Sequence, residues 1–372
     1  MRIALVVPGG VDRSGRERVI PALLWLIERL ARRHTVHVFA LRHYPEPCTY
    51  ELRGATIHDL GRAVGPRGLR SLFQTRHLIR ALRRCGPFDA MHGYWALPAG
   101  LQAALAGKWL GIPTLATFDS GELVCLPDLG YGQQCVWRGR LAVALTARLA
   151  TRLHVCSEHM ARLADAAGLK ADRISLGVDA RAFERRVAPI PGPPWRLLHV
   201  ASLNLVKDQA TLLRGLARVV ERVPEVHLDI VGEDTLGGRL HAQCAALGLD
   251  RHVTFHGFQP TDQLPAFYQR AHLLVLPSRH EAAGVVVLEA AASGVPTIGT
   301  ATGYVADWSP SGACAVPAGD AAALADGIVT LLGDPARRER MACDAARRAR
   351  AQDADWTAHA LEQLYAEMTA SL

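Results

Sequence analysis

Two carboxylates, Glu281 and Glu289, stand with seven residues between them in the stretch 277–308, PSRHEAAGVVVLEAAASGVPTIGTATGYVADW, which is otherwise almost entirely apolar or small. Glu281 falls in the loop expected after the apolar run 272–277, shortly before Gly284. Glu289 lies in the helix expected next, flanked by Val285, Val286, Val287, Leu288, Ala290, Ala291 and Ala292. A helix apolar on nearly every side is a buried one. An ionised Glu inside it is costly unless donors reach it. Those donors are either a buried Arg or backbone amide, as in a plain core helix, or the hydroxyls of a sugar. The first amides of the same helix, around Gly284, Val285 and Val286, lack intrahelical partners and carry the positive end of the dipole, which makes an anion site. A ligand with both hydroxyls and phosphate suits this stretch, and a nucleotide-sugar has both.

Lys207 is a second candidate. The chain uses Arg for nearly all its positive charge and has only three lysines, Lys108, Lys170 and Lys207. A flexible point charge suits a phosphate; the plain alternative is a surface lysine.

These residues need a scaffold, and the hydrophobic pattern describes one. A strand at 3–7 meets Pro8-Gly9-Gly10 and a helical pattern from about 15 to 33, with Val19, Leu23, Leu26, Ile27 and Leu30 on one face. Strand, glycine turn and helix form either a phosphate-binding start or an ordinary tight turn, so Gly9 and Gly10 are candidates. Strands follow at 36–40, 55–60, 88–91, 113–117, 152–156 and 173–176, with helices at 96–110 and 140–151 and another opened by Ser157 as N-cap. Polar side chains just past strand ends occupy the place where open α/β sheets bind ligands; His92, Asp119 and Glu122 meet that description. The loop to Gly139 has no periodicity and reads as free to move.

Four prolines in residues 187–194 exclude regular structure and mark a boundary. Beyond it, strands at 195–201, 226–231, 252–256, 272–277 and 296–300 alternate with helices, and a last helix is expected at 355–368. The fold class is therefore α/β, with two doubly wound, largely parallel sheets. The first domain spans 1–187 and takes in the helix at about 355–372; the second spans 188–354.

At 372 residues, 49% hydrophobic and 21% charged, the composition is that of a soluble two-domain protein. Eight scattered cysteines, with no CxxC pair and no His at zinc spacing, read as reduced thiols of a cytoplasmic protein without a bound metal. The N-terminus enters a strand directly, and no segment reads as a signal peptide or membrane span. Residues 1–187 carry net +12 and residues 188–372 net −5. The basic half favours an anionic partner. Arg62, Arg67, Arg70, Arg76, Arg80, Arg83 and Arg84 sit on an amphipathic pattern with Leu69, Leu72, Phe73, Ile79 and Leu82. It is either a surface for an anionic inner membrane face or a solvated helix packed by its apolar side. No nucleic-acid partner is expected.

The motifs ASLNLVKD (201–208), LDIVGED (228–234), VTFHGF (253–258) and LLVLPSRHEAAGVVVLEAAASGVP (273–296) occur in an order that resembles the retaining family 4 glycosyltransferases. Weaker likeness continues through GGVDRSGRERV, MHGYWALPAG and LGVDARAF in the first half. The resemblance implies the GT-B fold, two Rossmann-like domains facing a cleft with a C-terminal helix crossing back to the first. It also implies a nucleotide-sugar donor of UDP or GDP type, a hydroxyl acceptor in glycan or glycolipid synthesis, and no metal or other cofactor. By position, Lys207 holds the donor diphosphate, Glu289 the ribose hydroxyls and Glu281 hydroxyls of the transferred sugar. The amides of Gly284, Val285 and Val286 cradle phosphate, Gly303 lies in the matching loop, and Ser202, Gly232 and Phe258 fall in donor-side motifs. Asp119 or His92 would position the acceptor hydroxyl or take its proton.

Three positions depart from the family pattern. Ser202 replaces the usual basic residue, leaving Lys207 and Arg279 to neutralise diphosphate. Phe118-Asp119 stands where a His is common, and Ala306-Asp307 shifts an acid by one place. A sugar-nucleotide epimerase of the same fold, or a partner subunit that binds nucleotide-sugar without turnover, would carry the same donor-side residues.

Overall fold

Apolar runs without alternation, such as RIALVV at the start of the chain, bury both faces and so form the interior of parallel sheets. The computed structural model describes residues 1–62, 70–184 and 191–370. Arg67, the Arg70 side chain, residues 187–190 of the proline run and residues 371–372 of the final helix lie outside the described residues. The chain divides into two compact units, Met1–Leu176 with Ala354–Leu372, and Gly177–Asp353. The division thus falls ahead of the proline run.

Unit 1 contains β1 (Arg2–Val7), α1 (Pro21–Ala31), β2 (Thr35–Ala40), β3 (Cys48–Leu52), β4 (Ala55–Asp59), α2 (Arg70–Cys85), β5 (Ala90–Tyr94), α3 (Leu101–Leu110), β6 (Thr114–Phe118), α4 (Trp137–Leu149), β7 (Arg152–Val155), α5 (Glu158–Ala166) and β8 (Asp172–Arg173). Its sheet has the order β3-β4-β2-β1-β5-β6-β7-β8. Unit 2 contains β9 (Trp195–Val200), α6 (Gln209–Arg222), β10 (Val226–Val231), α7 (Arg239–Ala246), β11 (Val253–Phe255), α8 (Leu264–Arg270), β12 (Leu273–Leu276), α9 (Val285–Ala292), β13 (Thr297–Thr300), α10 (Gly303–Trp308), β14 (Ala313–Val316), α11 (Ala321–Gly333) and α12 (Pro335–Ala351). Its order is β11-β10-β9-β12-β13-β14, and every pair is parallel. The last helix, α13 (Ala354–Ala370), belongs to unit 1.

Three expectations are corrected. The first helix starts at Pro21, not near Gly15. A proline at its first position pre-sets the helical φ, and an antiparallel bridge between Val11 and Val19 closes residues 12–18 into a turn instead of helix. Strand β3 was not anticipated; Arg53 and Gly54, both with positive φ, form the two-residue turn that folds it antiparallel onto β4. The loop after β6 is not free: Cys125 and Cys135 are joined in a disulfide, so not all the cysteines are reduced thiols. Leu126 also bridges Tyr131 inside the closed loop.

Helix α13 completes the unit 1 core. Leu361, Leu364, Tyr365 and Met368 are buried with Ile3 and Leu5 of β1 and Leu23 and Ile27 of α1. Its Tyr365 also ends a chain of hydrogen bonds across the sheet. His154 Nε2 lies 2.8 Å from the Ile174 carbonyl, which can only accept, so that nitrogen carries the proton. His154 Nδ1 therefore accepts from Thr117 Oγ1 (2.8 Å), Thr117 accepts from His92 Nε2 (2.6 Å), and His92 Nδ1 accepts from the Tyr365 hydroxyl (2.6 Å). This directional chain requires both imidazoles to be neutral. Burial, and for His92 also the neighbouring His154, supplies that by pulling His92 down to about 3; burial pulls His154 down to about 4.

Replacing Tyr365 by Phe keeps the ring and leaves His92 Nδ1 buried without a donor. The expected loss is about 1–3 kcal/mol of stability, read as a lower midpoint in urea unfolding. An unchanged midpoint would show that the chain of bonds contributes nothing.

Candidate functional site

In unit 2 the strand order reverses direction between β9 and β12, the place where open α/β sheets gather ligand-binding loops at their C-terminal ends. The loop after β9 is shaped by Asn204. Its Oδ1 accepts from the amides of Val206 (3.0 Å) and Lys207 (3.1 Å), a local turn that fixes the backbone of Lys207. Asp208 then caps α6 by accepting from the Thr211 amide. The loop after β12 docks on it through the Arg279 amide, 2.7 Å from the Val206 carbonyl.

This docking brings Lys207 Nζ to 2.5 Å from Glu281 Oε1. Ser278 Oγ donates to the same oxygen at 2.6 Å. Burial disfavours the Glu281 carboxylate, but Lys207, Ser278 and His280 outweigh it and hold its pKa below the usual range. The two Lys and Glu candidates therefore form one ionised pair, with Lys207 27% exposed. An ammonium has three donors, so the pair leaves Lys207 capacity for a further anion.

Gly284, with φ +82°, turns the chain into α9 without any side-chain cap on the Val285 and Val286 amides. Gly303 opens α10 with φ +49°, and a Cβ there would collide with the Ala283 carbonyl, so only glycine lets the two loops approach. Beside it Thr302 Oγ1 is buried and has no hydrogen-bond partner among the described residues. Gly232 packs against the Ala201 carbonyl and is held by the Gly257 carbonyl (2.8 Å). Ser202 is exposed, Phe258 is half-exposed and Arg279 half-buried on these same loops.

Glu289 is 2% exposed. Its partner is Tyr268 of α8, whose hydroxyl lies 2.7 Å from Oε2. Burial pushes Glu289 up to about 7 against the pull of that hydroxyl. It is thus a carboxyl poised between its two states, able to accept from a diol once ionised. Sequence reasoning missed Tyr268; a tyrosine in a helix ahead of the apolar strand carries no signal of its partner.

In unit 1 the Gly9-Gly10 turn leads to Asp12, which sequence reasoning also missed. Asp12 accepts from the Ser14 amide (2.9 Å), Arg18 (2.5 Å), His43 Nε2 (3.2 Å) and the Tyr44 hydroxyl (2.9 Å). Burial opposes its ionisation, yet the Ser14 amide and hydroxyl, His43 and the Tyr44 hydroxyl hold its pKa well below the usual range. His92 is corrected: it lies within β5, wholly buried, with both ring nitrogens engaged, so it is unavailable as a base. Asp119 does follow β6. Its Oδ1 is buried without a hydrogen-bond partner among the described residues. Burial, with nearby Glu122, raises its pKa well above the ordinary value. Asp119 therefore stands where expected, past the end of β6, with a carboxyl biased toward its neutral form. Glu122 accepts from the amides of Ala96 (3.1 Å) and Ser120 (2.7 Å).

Residues 180–348 match the family described as glycosyl transferases group 1, and residues 19–177 match the glycosyl transferase 4-like domain. The chain belongs to this family and is a glycosyltransferase. It is 26% identical over 312 residues to the putative glycosyltransferase EpsF of Bacillus subtilis (strain 168), covering 79% of this chain and 78% of that protein. The fold matches sucrose-phosphate synthase from Thermosynechococcus elongatus with a TM-score of 0.83 at 20% identity, covering 100% of both chains. It also matches HepE of Anabaena, solved with UDP and glucose, with a TM-score of 0.74 at 21% identity and 100% of both chains. These likenesses establish the GT-B fold. Nothing in them supports the epimerase or the non-catalytic subunit.

The raised pKa of Glu289 sets a sign for stability. As pH rises from 5 to 8 the unfolded chain releases this proton first, so stability falls, by up to about 3 kcal/mol across a shift of this size. Glu289→Gln, which still accepts from Tyr268, is expected to flatten that decline. Denaturant midpoints of both proteins at pH 5 and pH 8 measure it.

Proposed function

We propose that this chain is a retaining transferase that moves a sugar from a uridine diphosphate sugar to a hydroxyl acceptor. The reading rests on the Lys207–Glu281 pair beside the uncapped amides of α9. Lys207 binds the donor diphosphate together with the Val285 and Val286 amides, and Arg279 adds charge in place of the residue lost at Ser202. As the bond to the sugar breaks, negative charge grows on the leaving phosphate, and these donors stabilise it where it develops. Glu281 accepts from hydroxyls of the transferred sugar, and Glu289 from the ribose diol. Attack from the leaving side places the acceptor proton next to the departing phosphate oxygen, which takes it. No metal is assigned to these steps. UDP is favoured over GDP because HepE, of the same fold, was solved with UDP and glucose.

The acceptor is assigned to an anionic or lipid-linked class, reached at a membrane surface. Arg76, Arg80, Arg83 and Arg84 of α2 and nearby Arg62 are exposed. Leu72 and Phe73 on the same helix and Trp109 of α3 are exposed too, Trp109 by 70%. Together with Ile79 and Leu105 they line one open apolar groove. Basic charge beside exposed apolar side chains suits an anionic bilayer interface. Among the described residues no helix is long and apolar enough to cross a membrane.

Calorimetric titration with UDP, GDP, ADP and their sugar forms tests the donor site. Lys207→Ala is expected to weaken UDP at least tenfold, about 1.4 kcal/mol, while leaving uridine nearly unchanged; Glu289→Ala is expected to weaken both. Absence of binding by every nucleotide would remove the basis for the reading. For the membrane, co-sedimentation with phosphatidylglycerol vesicles at low salt and none with phosphatidylcholine is the expected result, and the anionic binding should fade as salt rises. Equal neglect of both vesicles would rule the surface out.

A further inference from the structure

We propose that His37, His58 and Cys85 form a binding site for one zinc ion in unit 1. The two imidazoles project from neighbouring parallel strands. His58 of β4 pairs in register with Phe39 of β2, so His37, two residues before Phe39, shares its face of the sheet. Cys85 is the final residue of α2, the helix that covers that face through Leu78 and Leu82. Arg2 of β1 fixes the helix end by donating to the Cys85 carbonyl at 2.7 Å.

The ligand atoms converge. His37 Nδ1 lies 2.9 Å from His58 Nε2, and Cys85 Sγ lies 3.6 Å from the same nitrogen. One ligand atom from each of the three falls within 4.8 Å of the others. Around a tetrahedral zinc with bonds of about 2.0–2.3 Å, nitrogens stand about 3.4 Å apart and nitrogen and sulfur about 3.6 Å. The sulfur contact already has that spacing; the nitrogens need to open by a few tenths of an ångström and the rings to swing so that both lone pairs meet at the metal rather than at each other. The rings are also held in orientation. His37 and His58 lie nearly coplanar, planes 7° apart and centroids at 5.2 Å, joined by an in-plane N–H···N hydrogen bond whose proton a metal would replace; Phe39 stacks on His58, and the edge of Phe88 meets His37. Thr49 Oγ1 stands 3.5 Å from His58 Nδ1, on the side away from the ligand nitrogen, where metal-bound histidines take an outer partner.

Two imidazoles and a thiolate are borderline-to-soft ligands that select zinc over magnesium or calcium. His37 is buried while His58 and Cys85 are half-buried, and three protein ligands leave the fourth position of a tetrahedral zinc to a water molecule. The three ligands come from β2, β4 and α2. A metal there ties the outer strands of the sheet to their covering helix, and the loops at Gly9 and Asp119, on the C-terminal ends of the strands, take no part.

The test uses the full chain stripped with chelator, titrated with zinc and, separately, with cobalt(II) as a spectroscopic probe. The expected result is one equivalent bound, with the intense visible bands of tetrahedral cobalt and a sulfur-to-cobalt charge-transfer band. His58→Ala keeps every thiol and Cys85→Ser keeps both imidazoles; each is expected to lose at least tenfold in zinc affinity, and Cys85→Ser to lose the charge-transfer band. Zinc should raise the Tm of the wild type and of Cys343→Ser, which alters an exposed thiol elsewhere, but not of the two site variants. Weak octahedral cobalt bands, or equal zinc uptake by wild type and His58→Ala, would overturn the assignment.

Discussion

The ion pair between Lys207 and Glu281 is the constraint on which the donor-side unit depends. A carboxylate taken out of water is repaid only by close, well-aligned donors, and here they come from two loops on adjacent strands. The parallel order β10-β9-β12-β13 makes those loops neighbours. The Asn204 turn fixes one of them, the Arg279 amide locks the other to it, and Thr300 holds Ser278 in place by donating to its carbonyl. A buried pair adds little net stability compared with a well-packed apolar contact. Its physical product is position: an ammonium held beside the open end of α9.

Across the chain, the donors at each buried carboxyl, and whether one of them is cationic, set the direction in which its pKa moves. Asp12 receives four and Glu281 two, one of them cationic, and both stay ionised. Glu289 has one phenol, and Asp119 Oδ1 has none among the described residues; both are driven toward the neutral form. At Glu122 neutral backbone amides alone, its own and those of Ser120 and Ala96, do not overcome burial. The protein thus shifts carboxyl pKa values in opposite directions within each unit without any change of residue type.

The sheets were legible because burial on both faces leaves an uninterrupted apolar run, and the donor-side carboxylates stood out because they interrupt one. What stayed hidden depends on pairs distant in sequence. Tyr268 meets Glu289 across 21 positions, and Tyr365 meets His92 across 273. The apolar run 88–91 suggested a strand ending just before His92, yet β5 runs on to Tyr94, with Gly93 packed against Gly100. The hairpin at Arg53-Gly54 was missed because β3 is half-exposed and its turn depends on an arginine taking up positive φ. The Cys125–Cys135 link joins residues too near in sequence to resemble the spaced cysteines of a disulfide framework or a metal site.

Unit 1 is assembled from both ends of the chain, with α13 completing a core begun by β1. During synthesis its sheet must therefore wait, with Leu5, Leu23 and Ile27 unmatched on that face, while the whole of unit 2 is made. At ribosomal speeds of about 5–20 residues per second that interval is on the order of ten seconds or more. The second half of the protein can finish folding before the first. For that interval the nascent first unit is an exposed apolar surface, a substrate for chaperones, and a chain released before α13 would remain one.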